Sequence, residues 1–148
     1  TNDENGLAGG KAYAKDHAAE LPKHVAAIEA DSGVFRPTGY SAECADKDRE
    51  SRAAEQLAEM VSLLGTIGPM KTSTGHSGAD IGQMKVAGVM LLGHNVEGST
   101  YFDYHHTAAD TSDKIDPKLL SENVAAMAVV AFILADMPER LGDQPATK

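Results

Sequence analysis

The segment Tyr101-Phe102-Asp103-Tyr104-His105-His106-Thr107-Ala108-Ala109-Asp110-Thr111 places two adjacent histidines and two carboxylates within a short stretch. Two further acidic clusters stand apart from it, Asp3-Glu4 near the start and Glu29-Ala30-Asp31-Ser32-Gly33. Imidazole nitrogens and carboxylate oxygens are the donors of zinc-type sites, and such sites form where loops from separate strands converge. The chemistry available to this set is cation binding and, with a bound ion, activation of water. Spacing alone is weak support, because no local motif such as His-Glu-x-x-His sets the geometry. The plain alternative is that Glu4 and Asp31 cap helices and turns.

Neighbouring residues on an extended chain face opposite ways. One of His105 and His106 is therefore expected to face a ligand while the other packs. Tyr101, Phe102 and Tyr104 suggest partial burial of the pair, with Asp103 or Asp110 as hydrogen-bonding partner. His76, in a glycine-rich stretch ahead of Asp80, is a further candidate. Asp80 itself reads as a first-turn acid set against a helix dipole. His17, His24 and His94 read as structural or surface residues, and Cys44 as a free, non-catalytic thiol.

The elements that must position these groups follow from periodicity and punctuation. An Ala-rich helix after Gly9-Gly10 closes at Pro22, which lacks the amide proton an interior turn needs. Val25 to Ile28 reads as a buried strand, and its polar continuation lies where open α/β sheets keep ligands. Residues 34–48 read as loop, punctuated by Pro37 and Gly39. A helix from Arg49 to Leu64 carries the apolar stripe Ala53, Leu57, Met60, Val61, Leu64. Residues 65–78 read as a long irregular connection, Asp80 to Ala87 as a short helix and Val89 to Leu92 as a strand. Asp116 is the expected N-cap of the last helix, with Pro117 at its first position. This helix runs to about Asp136 and from Val124 to Ala135 is apolar nearly all round, which predicts burial on more than one side.

The chain has 148 residues, enough for one domain spanning 1–148. It carries 13 Lys and Arg against 22 Asp and Glu, a net charge of −9. That balance argues against nucleic acid, which needs a basic footprint, and against an anionic membrane surface. A single cysteine excludes an intrachain disulfide. No run of eighteen apolar residues and no basic-then-apolar leader predicts a membrane span or a targeting segment. No phosphate loop, dinucleotide fingerprint, zinc-finger spacing or Gly-x-Ser-x-Gly elbow is present.

The blocks Thr1-Asn2-Asp3-Glu4-Asn5-Gly6, Glu29-Ala30-Asp31-Ser32-Gly33, His76-Ser77-Gly78-Ala79-Asp80 and Tyr104-His105-His106-Thr107-Ala108-Ala109-Asp110-Thr111 together resemble the C-terminal half of an M28-family zinc peptidase, in the aminopeptidase and carboxypeptidase-Q-like group. The resemblance covers almost the whole chain. It implies an α/β fold with a mixed, mostly parallel sheet flanked by helices, zinc-exopeptidase-like but partial. It also implies zinc as cofactor, one or two ions in a complete site, and a peptide substrate. By the same resemblance Glu4, Asp31 and His106 are metal ligands and Asp3 stands where the family has a glutamate base. His76, Asp80, Tyr104, His105 and Asp110 line the pocket or bond behind the ligands.

Two departures qualify it. The family's first histidine and its bridging aspartate have no counterpart in this chain. Asp3 is one methylene shorter than glutamate, which withdraws the base by about 1.5 Å. The resemblance thus implies partial or weak metal occupancy and little activity from these residues alone. The implied partners are a missing N-terminal segment or a second copy of the chain, because an open sheet edge invites pairing. A non-catalytic, self-associating remnant is the alternative, as is one fragment of a nicked enzyme. The family suggests a periplasmic or secreted compartment, and the sequence itself names none.

Overall fold

The structure, a computed structural model, describes residues 6–144. Its centre is a four-stranded mixed sheet, built from β1 (Ala27–Glu29), β2 (Pro37–Glu43), β3 (Lys71–Thr74) and β4 (Leu91–Val96). The spatial order is β1-β4-β2-β3. β1 runs parallel to β4 and β2 parallel to β3, while β2 and β4 are antiparallel. Two of the three pairings are parallel, as expected. β1 and β4 consequently run the same way, and Asp31, two residues past β1, and His105, in the segment after β4, line one hollow.

Helices cover both faces. On one face, α2 (Lys47–Ser62) and α4 (Pro117–Asp136) pack on the sheet through Ala53, Leu57, Met60, Val61, Ala126, Val130 and Leu134. The sheet offers Tyr40, Ala42 and Leu92 to that core. On the other face Leu91 and Val89 meet Leu21 and Met84, with Ala14 of α1 (Ala8–Asp16) packed against them. The stripe predicted for α2 is buried as a unit. Its start is set by Asp46, whose carboxylate accepts from the amides of Asp48 and Arg49 at 3.0 Å each. The last helix begins as expected, with the Asp116 carboxylate accepting from the Lys118 amide at 2.7 Å and with Pro117 in its first turn.

Several expectations need correction. Residues 34–48 are not a loop, because they contain β2, a central strand. Pro37 sits at the strand's first residue and a register irregularity lies between Pro37 and Gly39. Both are positions where a sheet tolerates such residues. Gly39 has φ 143°, and a Cβ there would lie 1.7 Å from the Lys71 carbonyl oxygen of β3. Residues 65–78 contain β3, a polar edge strand. The first strand is Ala27–Glu29 and half-buried rather than Val25–Ile28 and buried. The second predicted strand begins two residues later and extends through Gly93-His94-Asn95 to Val96. The first helix ends at Asp16, and Pro22 lies in a separate 3-10 turn, Leu21–Lys23.

The last helix is not buried on several sides. Leu120, Val124 and Phe132 are exposed, Phe132 by 70%. By length and composition α4 would also be long enough to cross a membrane. Its opposite face is docked on the sheet and on α2.

Candidate functional site

Asp31 lies two residues past the end of β1 and is exposed. It borders two hollows. The larger, of about 180 Å³, is lined by Asp31, Val34, Phe35, Tyr101, Tyr104, His105 and further residues including Asp110 and Lys114. Its wall is mostly apolar and aromatic, with charged groups at intervals. The smaller, of about 60 Å³, lies between Asp31, Glu29, His76, Ser77 and the strand residues Gly93 to Asn95. The structure thus gathers Asp31, Tyr104, His105 and Asp110 around one hollow, and Asp31 and His76 around the other. Asp80 lines neither. Asp3 and Glu4 lie outside the described residues.

The His76-Ser77-Gly78-Ala79-Asp80 loop is held against the sheet by two glutamates, Glu29 of β1 and Glu43 of β2. Glu29 Oε1 accepts from the Ala79 amide at 2.9 Å and Oε2 from the Ile81 amide at 3.0 Å. Glu43 accepts from both the amide and the hydroxyl of Ser77, at 3.1 and 2.9 Å. The Lys85 ammonium bonds Glu43 at 2.6 Å and holds its carboxyl below the usual carboxylate range, with the Ser77 bonds adding to the effect. The same pairing raises Lys85. Gly78 has φ 135°, and a Cβ there would fall 2.1 Å from Glu29 Cδ. Glu29, from β1, thus receives amides at the start of the 3-10 helix Ile81–Ala87, and Asp80 stands at the N-cap of that helix without a side-chain hydrogen bond to it.

The histidine pair departs from the extended-chain picture. A single helical turn, α3 (Tyr101–Tyr104), leads into it. His105 has φ −53° and ψ 121°, His106 has φ 58°, and the Thr107 amide bonds the Tyr104 carbonyl at 3.0 Å. Tyr104 to Thr107 thus forms a turn of type II shape, in which the third position has φ of about +80° and is ordinarily glycine. The two rings do not point apart; their centroids are 3.7 Å apart with 24° between planes. His105 also stacks on Tyr101 at 4.5 Å, and its Nδ1 lies 2.8 Å from the Tyr101 phenol oxygen. Its hydrogen-bonding partner is this phenol rather than Asp103 or Asp110. Partial burial holds for Tyr101, Tyr104 and His105, while His106 and Phe102 are exposed.

His94 is structural, as expected. Its Nε2 donates to Asn123 Oδ1 at 2.6 Å, since Asn123 Nδ2 is already donating to the carbonyls of Phe35 and Leu119. Burial lowers its pKa, against the opposing Asn123 bond. Cys44 is buried, with its Sγ donating to the Asp46 carbonyl.

Asp31 and His106 are both exposed, and carboxylates and imidazoles are donor types that zinc-type ions take. Among the described residues no group of three or more His, Cys, Asp or Glu gathers to hold a metal.

Comparison with known proteins decides what this arrangement belongs to. The model of peptidase family M28 matches residues 1–131. The chain belongs to peptidase family M28. Rat carboxypeptidase Q is 36% identical over 141 residues, covering 95% of this chain and 29% of the rat protein. Human carboxypeptidase Q is 31% identical over 144 residues, with the same coverage of each. A crystal structure of a peptidase M28 precursor from Shewanella amazonensis superposes with a TM-score of 0.81 at 35% identity. It is covered by 99% of this chain, which spans 32% of that protein. The chain thus spans less than a third of the length of the relatives it matches, and its fold is the M28 fold. Sequence reasoning missed the two glutamates that hold the His76 loop. Glu29 belongs to the Glu29–Gly33 block, but nothing local shows that its partners lie some fifty residues on. The apolar wall of Val34 and Phe35 was hidden inside a stretch read as loop.

Proposed function

We propose that this chain is the C-terminal part of the catalytic domain of a metal-dependent exopeptidase, with Asp31, His106 and Glu4 as metal ligands. The observation that supports this reading is that Asp31, just past β1, and Tyr104 and His105, in the segment that follows the parallel strand β4, border one largely apolar hollow. Ligands in open α/β sheets collect at the carboxyl ends of strands. Zinc, when bound, supplies Lewis acidity and a water that ionises near neutral pH. In a site completed by another segment, Asp3 would take the proton of the attacking water and return it to the leaving amine. Phe35, Tyr104 and Val34 receive an apolar substrate side chain and keep bulk water off one side of the scissile bond. His76, fixed by its anchored loop, borders the opposite side of Asp31.

The donors in these residues fall short of a full site, so the 148 residues alone are inactive or nearly so. Hydrolysis of chromogenic amino-acid amides tests this. The isolated chain is expected to give no turnover above a chelator-treated control. The full-length protein is expected to turn over and to lose activity in Asp31→Asn and in His106→Ala. Brisk, chelator-sensitive turnover by the isolated chain overturns the partial-site reading, and unimpaired His106→Ala overturns the ligand assignment.

A second reading has its own support: a non-catalytic domain that self-associates. β1 pairs on one side only, and Val25, Val124 and Phe132 are exposed. Open edges and apolar faces favour pairing with another chain. Sedimentation of the isolated chain distinguishes the two, since a tight dimer without metal dependence favours the remnant. A periplasmic or secreted setting is part of the first reading only, by family resemblance.

A further inference from the structure

We propose that His105 is a positioning residue that holds the imidazole of His106 in one orientation before any ion binds. This rests on the reading of His106 as a ligand.

His106 adopts φ 58° in the type II turn Tyr104–Thr107. A left-handed residue other than glycine or asparagine costs about 1–2 kcal/mol. Strain of this kind persists only where the surroundings over-determine it, and it collects at functional sites. The surroundings here are specific. The turn closes through Thr107, whose amide and hydroxyl both donate to the Tyr104 carbonyl, at 3.0 and 2.8 Å. The Thr107 hydroxyl oxygen in turn accepts from the Ala109 amide at 3.1 Å. The His105 amide is tied back to the Tyr101 carbonyl at 2.9 Å.

Above this backbone lies a column of three rings in the order Tyr101, His105, His106. The planes are within 23° and 24° of parallel, with centroid spacings of 4.5 and 3.7 Å. Phe102 meets the edge of His105 at 6.1 Å. The bond between the Tyr101 phenol and His105 Nδ1 stops the middle ring from turning about its own axis. A flat ring lying against His106 removes much of its χ freedom. An exposed ligand would otherwise lose that side-chain entropy on binding. Groups that orient metal ligands in this way typically change metal affinity by 10- to 100-fold when removed.

The test uses cobalt(II) as probe on the full-length protein, with affinity and visible absorption as readouts. His105→Ala is expected to weaken cobalt binding about 10-fold and to alter the absorption bands. His105→Phe keeps a flat face against His106 and is expected to restore most of the affinity. In the metal-free protein, the His106 ring protons are expected to carry an upfield ring-current shift. That shift should survive in His105→Phe and vanish in His105→Ala. Should His105→Ala fail to fold, His105→Leu, which fills the space without a flat face, takes its place with the same expectation. Affinity in His105→Ala or His105→Leu within two-fold of the parent overturns the inference. So does a loss of affinity with the His106 resonances unmoved. His106→Ala separates the levels: if it leaves cobalt binding intact, the ligand reading itself fails, whereas loss in His106→Ala with none at position 105 sinks only the positioning role.

Discussion

Glu29→Gln isolates the clamp that holds the loop beside Asp31. The wild-type carboxylate receives two backbone amides, Ala79 on one oxygen and Ile81 on the other. Glutamine has the same shape, but one of the two positions becomes an NH2 group that cannot accept. One amide then loses its partner and faces another donor. Hydrogen bonds to charged groups contribute about 1.5–3 kcal/mol each. The Ala79 bond is exposed and the Ile81 bond partly buried, so water replaces part of the loss and about 2 kcal/mol remains. For a chain of this size each kcal/mol moves Tm by roughly 2–4 °C, giving a drop of about 4–8 °C. Thermal unfolding followed by circular dichroism measures it. Amide exchange localises it, because protection should fall at Ala79 and Ile81 while the amides of α2 keep theirs. A variant within about 0.5 kcal/mol of the parent, with both amides still protected, refutes the clamp.

Other expectations follow from the same geometry. Gly39→Ala should cost about 3 kcal/mol or more in chemical denaturation, since both its backbone angle and the nearby Lys71 carbonyl reject a Cβ. His94 is held neutral in the folded protein and its pKa lies below the unfolded value. The unfolded chain therefore binds the extra proton first, and stability should fall as pH drops below about 6.5. Melting curves from pH 7.5 to 5.5 should show that loss, and His94→Gln should flatten it. Phe132→Ser in the isolated chain should leave its stability within about 0.5 kcal/mol, because the ring is exposed. It should also weaken any self-association seen by sedimentation.

How much of this was legible varied by element. The α2 stripe and the Asp116-Pro117 start of α4 were written in local patterns, periodicity and capping, and both stand. β2 was hidden because its opening residues, Pro37 and Gly39, carry the marks of a turn. Only the approach of β3 explains the glycine. β3, Lys-Thr-Ser-Thr, is an exposed edge strand with no apolar alternation to announce it. Composition correctly showed α4 as apolar, but composition does not say what covers each face. At the site, the Asp31 and His106 segments stood out by residue type. The turn between the histidines did not, since its left-handed position lacks the glycine that signals such turns. Glu29 and Glu43 act across the chain, at separations no local pattern encodes.

β1 joins the sheet through only three residues, Ala27 to Glu29, all to one neighbour. The ribbon that delivers Asp31 is thus the most loosely stitched of the four. Segments so lightly tethered detach by fraying, long before global unfolding. A cation gripping Asp31 would act as a rivet on that outer ribbon, and slowed deuterium uptake at positions 27–29 would register its arrival.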